Sequence, residues 1–183
     1  MNTYTLQIGE LTRELPIIPI SDSLSIASFV ILGDTELVMQ VAKDIADKLP
    51  DVDILVTAEA KGIPFVYELS KQLDMKRYVV ARKSVKAYMG ETISHKVNSI
   101  TTQKQQELIL EKSDVELIRG KRVAVVDDVI STGESLLALE QLVAKAGGEV
   151  VARAAILAEG DAAKREDIIF LEALPLFPHP ASS

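Results

Sequence analysis

Two adjacent carboxylates, Asp127 and Asp128, follow the apolar run Val123-Ala124-Val125-Val126, and Ser131-Thr132-Gly133-Glu134-Ser135 come shortly after. A buried strand that ends in acids and turns through small residues into a helix puts both features at the carboxyl end of a sheet. Open α/β folds bind ligands there. Successive amides of Ser131 to Ser135 can converge on one concavity with a helix N-terminus behind them, an anion site suited to phosphate. The carboxylates cannot hold that phosphate. They accept hydrogen bonds from hydroxyls and stabilise positive charge that develops beside them. Either half alone is compatible with a solvated strand end or a capping loop. Together they point to a sugar phosphate, with a diol at one end and a phosphate at the other. No Gly-Lys-Ser/Thr follows, so this is not a Walker A loop, and a single glycine does not make a dinucleotide fingerprint. An acid inside a phosphate cradle repels the ligand, so the Glu134 side chain is expected to point outward.

The elements that position these residues follow from the spacing of apolar positions. Gly33-Asp34-Thr35-Glu36 offers an N-cap, and Leu37, Val38, Val41, Ala42, Ile45 and Leu49 recur at helical spacing, which predicts a helix over 35–49. Short apolar runs predict strands at 53–57, 77–81, 122–126, 149–158 and 168–171, with helices over 62–73 and 134–146 between them. Strands alternating with helices predict an α/β fold, a parallel sheet flanked by helices. Two segments break the rhythm. Residues 1–32 precede the first βα unit and are expected to cap one end of the sheet as a small hood. Residues 83–118 are polar and lie between two sheet strands, with Thr92 to Ile100 and Gln105 to Leu110 able to pair as a hairpin. A long polar insertion in a compact domain is usually a functional lid. Glu107, Glu111 and Lys112 read as a solvated face, and the tail over 177–183, with Pro178 and Pro180, reads as frayed.

The chain has 183 residues, 48% of them hydrophobic and 26% charged, which is globular composition suited to a single domain. Lys and Arg total 20 against 27 Asp and Glu, and the net charge of −7 argues against a general nucleic-acid binder. With no cysteine, a disulfide scaffold, a thiol nucleophile and a thiolate zinc site are excluded. The two histidines, His95 and His179, do not suggest a metal site and read as surface residues. The apolar stretch from Leu15 to Leu32 is broken by Pro16, Pro19 and Asp22, and a bilayer span needs about 20 apolar residues. Glu10 and Glu14 precede it, unlike the basic start of a secretory signal. A cytoplasmic protein with no membrane partner is expected.

The stretch from Val123 to Ser135 resembles the phosphoribosyl-pyrophosphate motif of type I phosphoribosyltransferases. The resemblance implies that Asp127 and Asp128 hold the ribose hydroxyls. It assigns the 5′-phosphate to the segment Ser131, Thr132, Gly133, Glu134 and Ser135. Glu59-Ala60-Lys61-Gly62 is similar to the pyrophosphate loop of adenine phosphoribosyltransferases, with Lys61 in place of an arginine. Arg82-Lys83 resembles the pair that faces pyrophosphate and its Mg²⁺, an ion carried mainly by the substrate rather than by protein ligands. Residues 84–106 match the family's mobile loop, with Lys86, Tyr88 and Lys104 as its candidate contacts. Ile26 and Phe29 in the hood, with Ile130, are the implied base contacts.

The resemblance covers roughly residues 13 to 160. Leu15-Pro16-Ile17-Ile18-Pro19 is similar to adenine enzymes, whereas Ser28-Phe29 and Leu37-Val38-Met39-Gln40 look more like bacterial xanthine enzymes. Thr101, after Ser99-Ile100, stands where adenine enzymes carry an acid. Gly160, after Glu159, stands where enzymes for 6-oxopurines tend to carry a lysine. A neutral base edge needs no cation, so adenine is favoured. The expected activity is purine salvage, transfer of ribose 5-phosphate from phosphoribosyl pyrophosphate to a purine, by a homodimer. Two alternatives stand: a xanthine or other 6-oxopurine enzyme, and a non-catalytic sensor of phosphoribosyl pyrophosphate. The latter resembles the ligand domain of the bacterial purine repressor, whose lid looks like Thr92 to Leu110. The acidic charge, and no room for a winged helix before residue 13, favour the enzyme.

Overall fold

The computed structural model describes residues 2–97 and 105–179. The chain begins with three strands, β1 (Thr3–Ile8), β2 (Leu11–Ser21) and β3 (Leu24–Ala27), followed by α1 (Thr35–Ala46). Alternation then sets in with β4 (Ile54–Ala58), α2 (Ile63–Gln72) and β5 (Val79–Ala81). A hairpin of β6 (Thr92–Val97) and β7 (Gln106–Glu111) and a short helix α3 (Lys112–Ile118) intervene before β8 (Arg122–Ile130) and α4 (Glu134–Lys145). The chain closes with β9 (Glu149–Glu159), a 3-10 turn (Gly160–Lys164), β10 (Glu172–Leu174) and β11 (Leu176–Pro178). No described helix is long and apolar enough to cross a membrane.

The central sheet has the order β10-β9-β8-β4-β5, and every pairing in it is parallel. The connection from β4 leads outward to β5, and the chain then returns across β4 to β8. That reversal is the switch point at which doubly wound sheets open a crevice beyond their strand ends. β4 pairs with β8 only from Ile54↔Val123 to Val56↔Val125, whereas β8 stays paired with β9 as far as Ile130↔Ala158. The end of β8 therefore overhangs β4 and leaves an open edge. Continuous apolar strands fit a sheet covered on both faces. On one face Leu55, Ala124 and Val126 pack against Val41, Ile45 and Phe65. On the other Val56, Val123 and Val125 pack against Leu139, Leu142 and Leu110.

The α/β fold agrees with the sequence reading, and several boundaries are corrected. β8 continues to Ile130 instead of ending at Val126, because β9 supplies a partner for the extra residues. Segment 168–171 is no regular strand. It meets β9 through an isolated bridge, Ile169 with Ala154, and the bond from the Leu171 amide to the Ile156 carbonyl, and regular pairing begins only at Glu172. Of the charged residues read as a solvated face, Lys112 is exposed and Glu107 and Glu111 are half-buried, while between them β7 buries Leu108, Ile109 and Leu110, and backbone bonds of 2.8 Å in both directions tie Ile109 to Arg82. Period-two alternation was hidden there because Leu108 to Leu110 are all apolar.

The first strands and the last form one antiparallel sheet, in the order β1-β2-β3-β11. The expected fraying of the tail is overturned for residues 177–179. Phe177 pairs with Ser25 and Pro178 with Leu24, the His179 amide donates to the Ser23 carbonyl at 2.8 Å, and the His179 ring meets Ser25 Oγ at 2.8 Å. Residues 180–183 lie outside the described residues. Arg13 fastens this sheet to the core by bonding Asp34 and Glu36 at the start of α1. Asp34 also caps that helix, accepting from the Leu37 amide, and the Arg13 guanidinium holds its carboxyl below the usual carboxylate range.

Candidate active site

The crevice at the switch point is built on β4 and β8. Asp127 and Asp128 lie in the overhanging part of β8, and Asp128 is only 8% exposed. The Asp128 amide donates to Asp127 Oδ1 at 2.8 Å. Burial pushes the Asp127 carboxyl well above the usual carboxylate range, and the neighbouring Asp128 carboxyl adds to the rise. The Asp128 amide and the charge of Lys83 oppose it. Such a carboxylate pair, partly desolvated, is poised to accept hydroxyl donors or to face a cationic centre.

β8 leads directly into the loop Ser131–Ser135. Gly133 has φ +82° and stands at the N-cap of α4. That left-handed conformation favours glycine. The turn lines a small concavity together with Asp127, Val129 and Ile130, and α4 begins behind it. Ser131, Thr132 and Ser135 are exposed and available to an anion. Glu134 does not line the concavity, and its amide donates to Thr132 Oγ1 at 3.4 Å.

A second cavity, of about 290 Å³, adjoins the first through Asp127 and Ser135. Glu59, Ala60 and Lys61 line it from the β4–α2 loop, Lys83 from the end of β5, and Asp128 from β8. Gly62 is required by a close approach. A Cβ there would sit 2.7 Å from Thr57 Oγ1, so any side chain would have to displace the Thr57 hydroxyl or the loop itself. Arg82 donates through Nε to Glu59 and through Nη1 to Tyr88 Oη at 2.8 Å. One loop acid, one strand-end cation and one residue of the 84–106 segment thereby form a chain of contacts.

The remaining sequence-derived candidates fall in different places. Lys86 bonds Ser84 Oγ at 2.7 Å and is not among the residues lining the large cavity. Lys104 lies outside the described residues, as do Ser99, Ile100 and Thr101. Ile130 lines the smaller concavity, and Ile26 sits in β3 opposite Leu176. Phe29 is corrected: it is 6% exposed and packs in the core with Leu6, Ile8 and Leu37, because an aromatic ring at the exit of the hood sheet gains more from burial than from exposure. His95 is partly buried, whereas His179 lies at the surface as expected, with its ring on Ser25 Oγ.

Sequence reasoning missed the contribution of the hairpin. Val97, Gln106 and Leu108 line the large cavity, and Val97, Leu108 and Leu110 anchor the stem in the same core as α4. No local motif marks them, since they reach the crevice only after the hairpin packs. Thr57 was missed too. Its hydroxyl is buried beneath the crevice with no partner among the described residues.

Comparison with known proteins places this geometry among relatives. The model of the phosphoribosyl transferase domain matches residues 31–176. A hypoxanthine/guanine phosphoribosyltransferase of Methanococcus voltae is 36% identical over 137 residues, covering 74% of this chain and 69% of that protein. An adenine phosphoribosyltransferase of Thermosipho africanus is 35% identical over 148 residues, covering 77% and 84%. The solved adenine phosphoribosyltransferase of Thermoanaerobacter pseudethanolicus shares the fold, with a TM-score of 0.69 at 22% identity over 87% of this chain and 95% of that one.

Proposed function

The chain belongs to the phosphoribosyl transferase family, and from that premise we propose that it transfers ribose 5-phosphate from phosphoribosyl pyrophosphate to a purine base, adenine by preference. The observation that supports this most is the sharing of Asp127 and Ser135 by the anion cradle and the larger cavity. One ligand with a phosphate at one end and a pyrophosphate at the other spans both. The Ser131–Ser135 amides take the 5′-phosphate. Asp127 and Asp128 accept the ribose hydroxyls. Lys61 and Lys83 face the pyrophosphate.

The chemistry then follows from charge. As the bond from ribose carbon 1 to pyrophosphate breaks, positive charge grows on the ring, and the two carboxylates stabilise it. A purine ring nitrogen forms the new bond to carbon 1 and loses its proton as the nucleotide forms. The acidic oxygens of Asp127 and Asp128 and the nearby pyrophosphate position suit a hard cation such as Mg²⁺. That ion, when bound, neutralises the departing pyrophosphate. In this reading the substrate's own oxygens supply most of that ion's ligands. Closure of residues 84–106 excludes water that would hydrolyse the activated sugar. Hydrogen exchange with and without a substrate complex tests that closure, and equally strong protection in both states would make the segment a fixed hairpin.

Adenine is supported by the end of β9. Gly160 has φ +61°, and a Cβ there would lie 2.8 Å from Leu176 Cδ1. That position therefore offers no cation to a 6-oxo group. The relatives named for hypoxanthine and guanine support the second reading, a 6-oxopurine enzyme. A missing hydrogen-bond partner at a buried polar edge costs about 1–3 kcal/mol, so the preferred base should lead by about tenfold or more. Comparing kcat/KM for adenine, guanine, hypoxanthine and xanthine decides between them. Binding of phosphoribosyl pyrophosphate with no base consumed would leave a sensor. The proposal includes a homodimer, which light scattering on the purified protein measures.

A further inference from the structure

The anion cradle is short of positive charge. Of the residues that line it, Asp127 is the charged one, and Glu134 stands in the same turn. A dianionic phosphate would enter a turn flanked by acids and faced by neutral Ser131, Thr132 and Ser135. The helix N-terminus supplies partial charge only.

A cation reaches this turn from a distant part of the chain. Arg165 follows the 3-10 turn after β9, and its Nη1 lies 2.9 Å from the position that a Cβ on Gly133 would occupy. The guanidinium therefore stands beside Gly133, next to the residues that line the concavity rather than among them. Its orientation is set by Asp167, which accepts from Nε at 2.8 Å and from Nη2 at 2.7 Å. Such a fork holds one edge of the planar group and leaves the other edge directed away from the acid. Nη1 has no hydrogen-bond partner among the described residues. The nearby Glu140 is hydrogen-bonded by Arg153 at 2.5 Å and acts on Arg165 only through its charge. The arrangement costs side-chain freedom at Arg165 and forbids any side chain at position 133 without displacement of the guanidinium.

We propose that Arg165 is a positioning residue for the sugar 5′-phosphate, clamped by Asp167 so that its free guanidinium edge lies on Gly133 and supplies the positive charge that the cradle lacks. The proposal rests on the phosphoribosyl-pyrophosphate reading above. It assigns recognition of the phosphate end partly to a residue outside the contiguous Asp127–Ser135 stretch.

The test uses calorimetric titration of the full chain with phosphoribosyl pyrophosphate and Mg²⁺, beside steady-state kinetics. Wild-type binding is measured first. No binding by the wild type would sink the functional reading and this assignment together. Given wild-type binding, Arg165→Gln should raise Kd and KM for phosphoribosyl pyrophosphate about tenfold, the usual scale of one charge-assisted contact. KM for the base and kcat should stay within about twofold, well inside that scale. Arg165→Lys, which keeps the charge and loses the fork, should recover most of the affinity, whereas a purely structural role would leave Lys as poor as Gln. Arg165→Met keeps the aliphatic stem and gives the same comparison if Arg165→Gln does not fold. Unchanged affinity in folded Arg165→Gln or Arg165→Met, or equal loss in the Lys and Gln variants, would overturn the assignment while leaving the functional reading intact.

Discussion

At the end of the crevice proposed for phosphate, Asp127 through Ser135 follow one another along β8 and the turn after it. At the hood, by contrast, Ile26, Gly160 and Leu176 meet only because three separate parts of the chain converge. Ile26 pairs with Leu176 across β3 and β11, and Leu176 presses on Gly160 after β9. The first region is local, so its chemistry is written in adjacent residue types. The second is an assembly, and its chemistry depends on which strand ends lie side by side. A cradle made of backbone amides tolerates little change. A wall made of hydrocarbon can be recut, and related enzymes named for adenine and for hypoxanthine and guanine sit at similar distances from this chain.

The largest effect should come from the acids at the heart of the local region. Asp127→Asn with Asp128→Asn should lower kcat/KM by about a thousandfold or more, since both groups act on the same developing charge. Circular dichroism and a thermal melt should show the fold retained. Full activity in the folded double variant would remove these residues from the mechanism.

Next comes Gly133→Ala. It forces a side chain into a left-handed position and against Arg165 Nη1. Strain of this kind costs about 1–3 kcal/mol, so affinity for phosphoribosyl pyrophosphate should fall by roughly ten- to a hundredfold. Affinity for the base should change far less, and equal loss for both substrates would mean that the cradle does not act on its own.

The hood should respond in the opposite sense. Leu176→Ala opens space beside Gly160 and Ile26, and should change the ratio of kcat/KM between adenine and hypoxanthine by about three- to tenfold, the scale of one lost apolar contact. KM for phosphoribosyl pyrophosphate should hold. A changed phosphate KM with an unchanged base ratio would reverse the division between the two regions. Ser25→Ala, which removes the partner of His179, should cost the whole protein about 1 kcal/mol in a denaturant melt.

The smallest effect is on stability against pH. The Asp127 carboxyl titrates above its ordinary range in the folded protein because of burial and Asp128. A raised native value means that the folded state holds the proton more tightly than the unfolded state. Its contribution to stability is complete below the ordinary carboxylate range and is lost as pH rises through the raised value. Asp127→Asn removes that loss, so its melting temperature should fall less than the wild type's between mildly acidic and neutral pH. Parallel curves for the two proteins would show that Asp127 is not shifted.

Residue order by itself determined the α/β alternation, the carboxylates on β8, the small-residue turn after them and the Glu59–Gly62 loop after β4. These follow from short-range rules: apolar runs make strands, 3.6-residue spacing makes helices, and small residues at a strand end make an anion site. Only the tertiary structure decided the rest. It buried Phe29, which sequence placed at the base, and ordered residues 177–179, whose strand exists only through pairing with β3. It turned Leu108 to Leu110 inward and set Arg165 against Gly133. Sheet pairing and packing between distant segments depend on what lies across the contact, and no local pattern of residues carries that information.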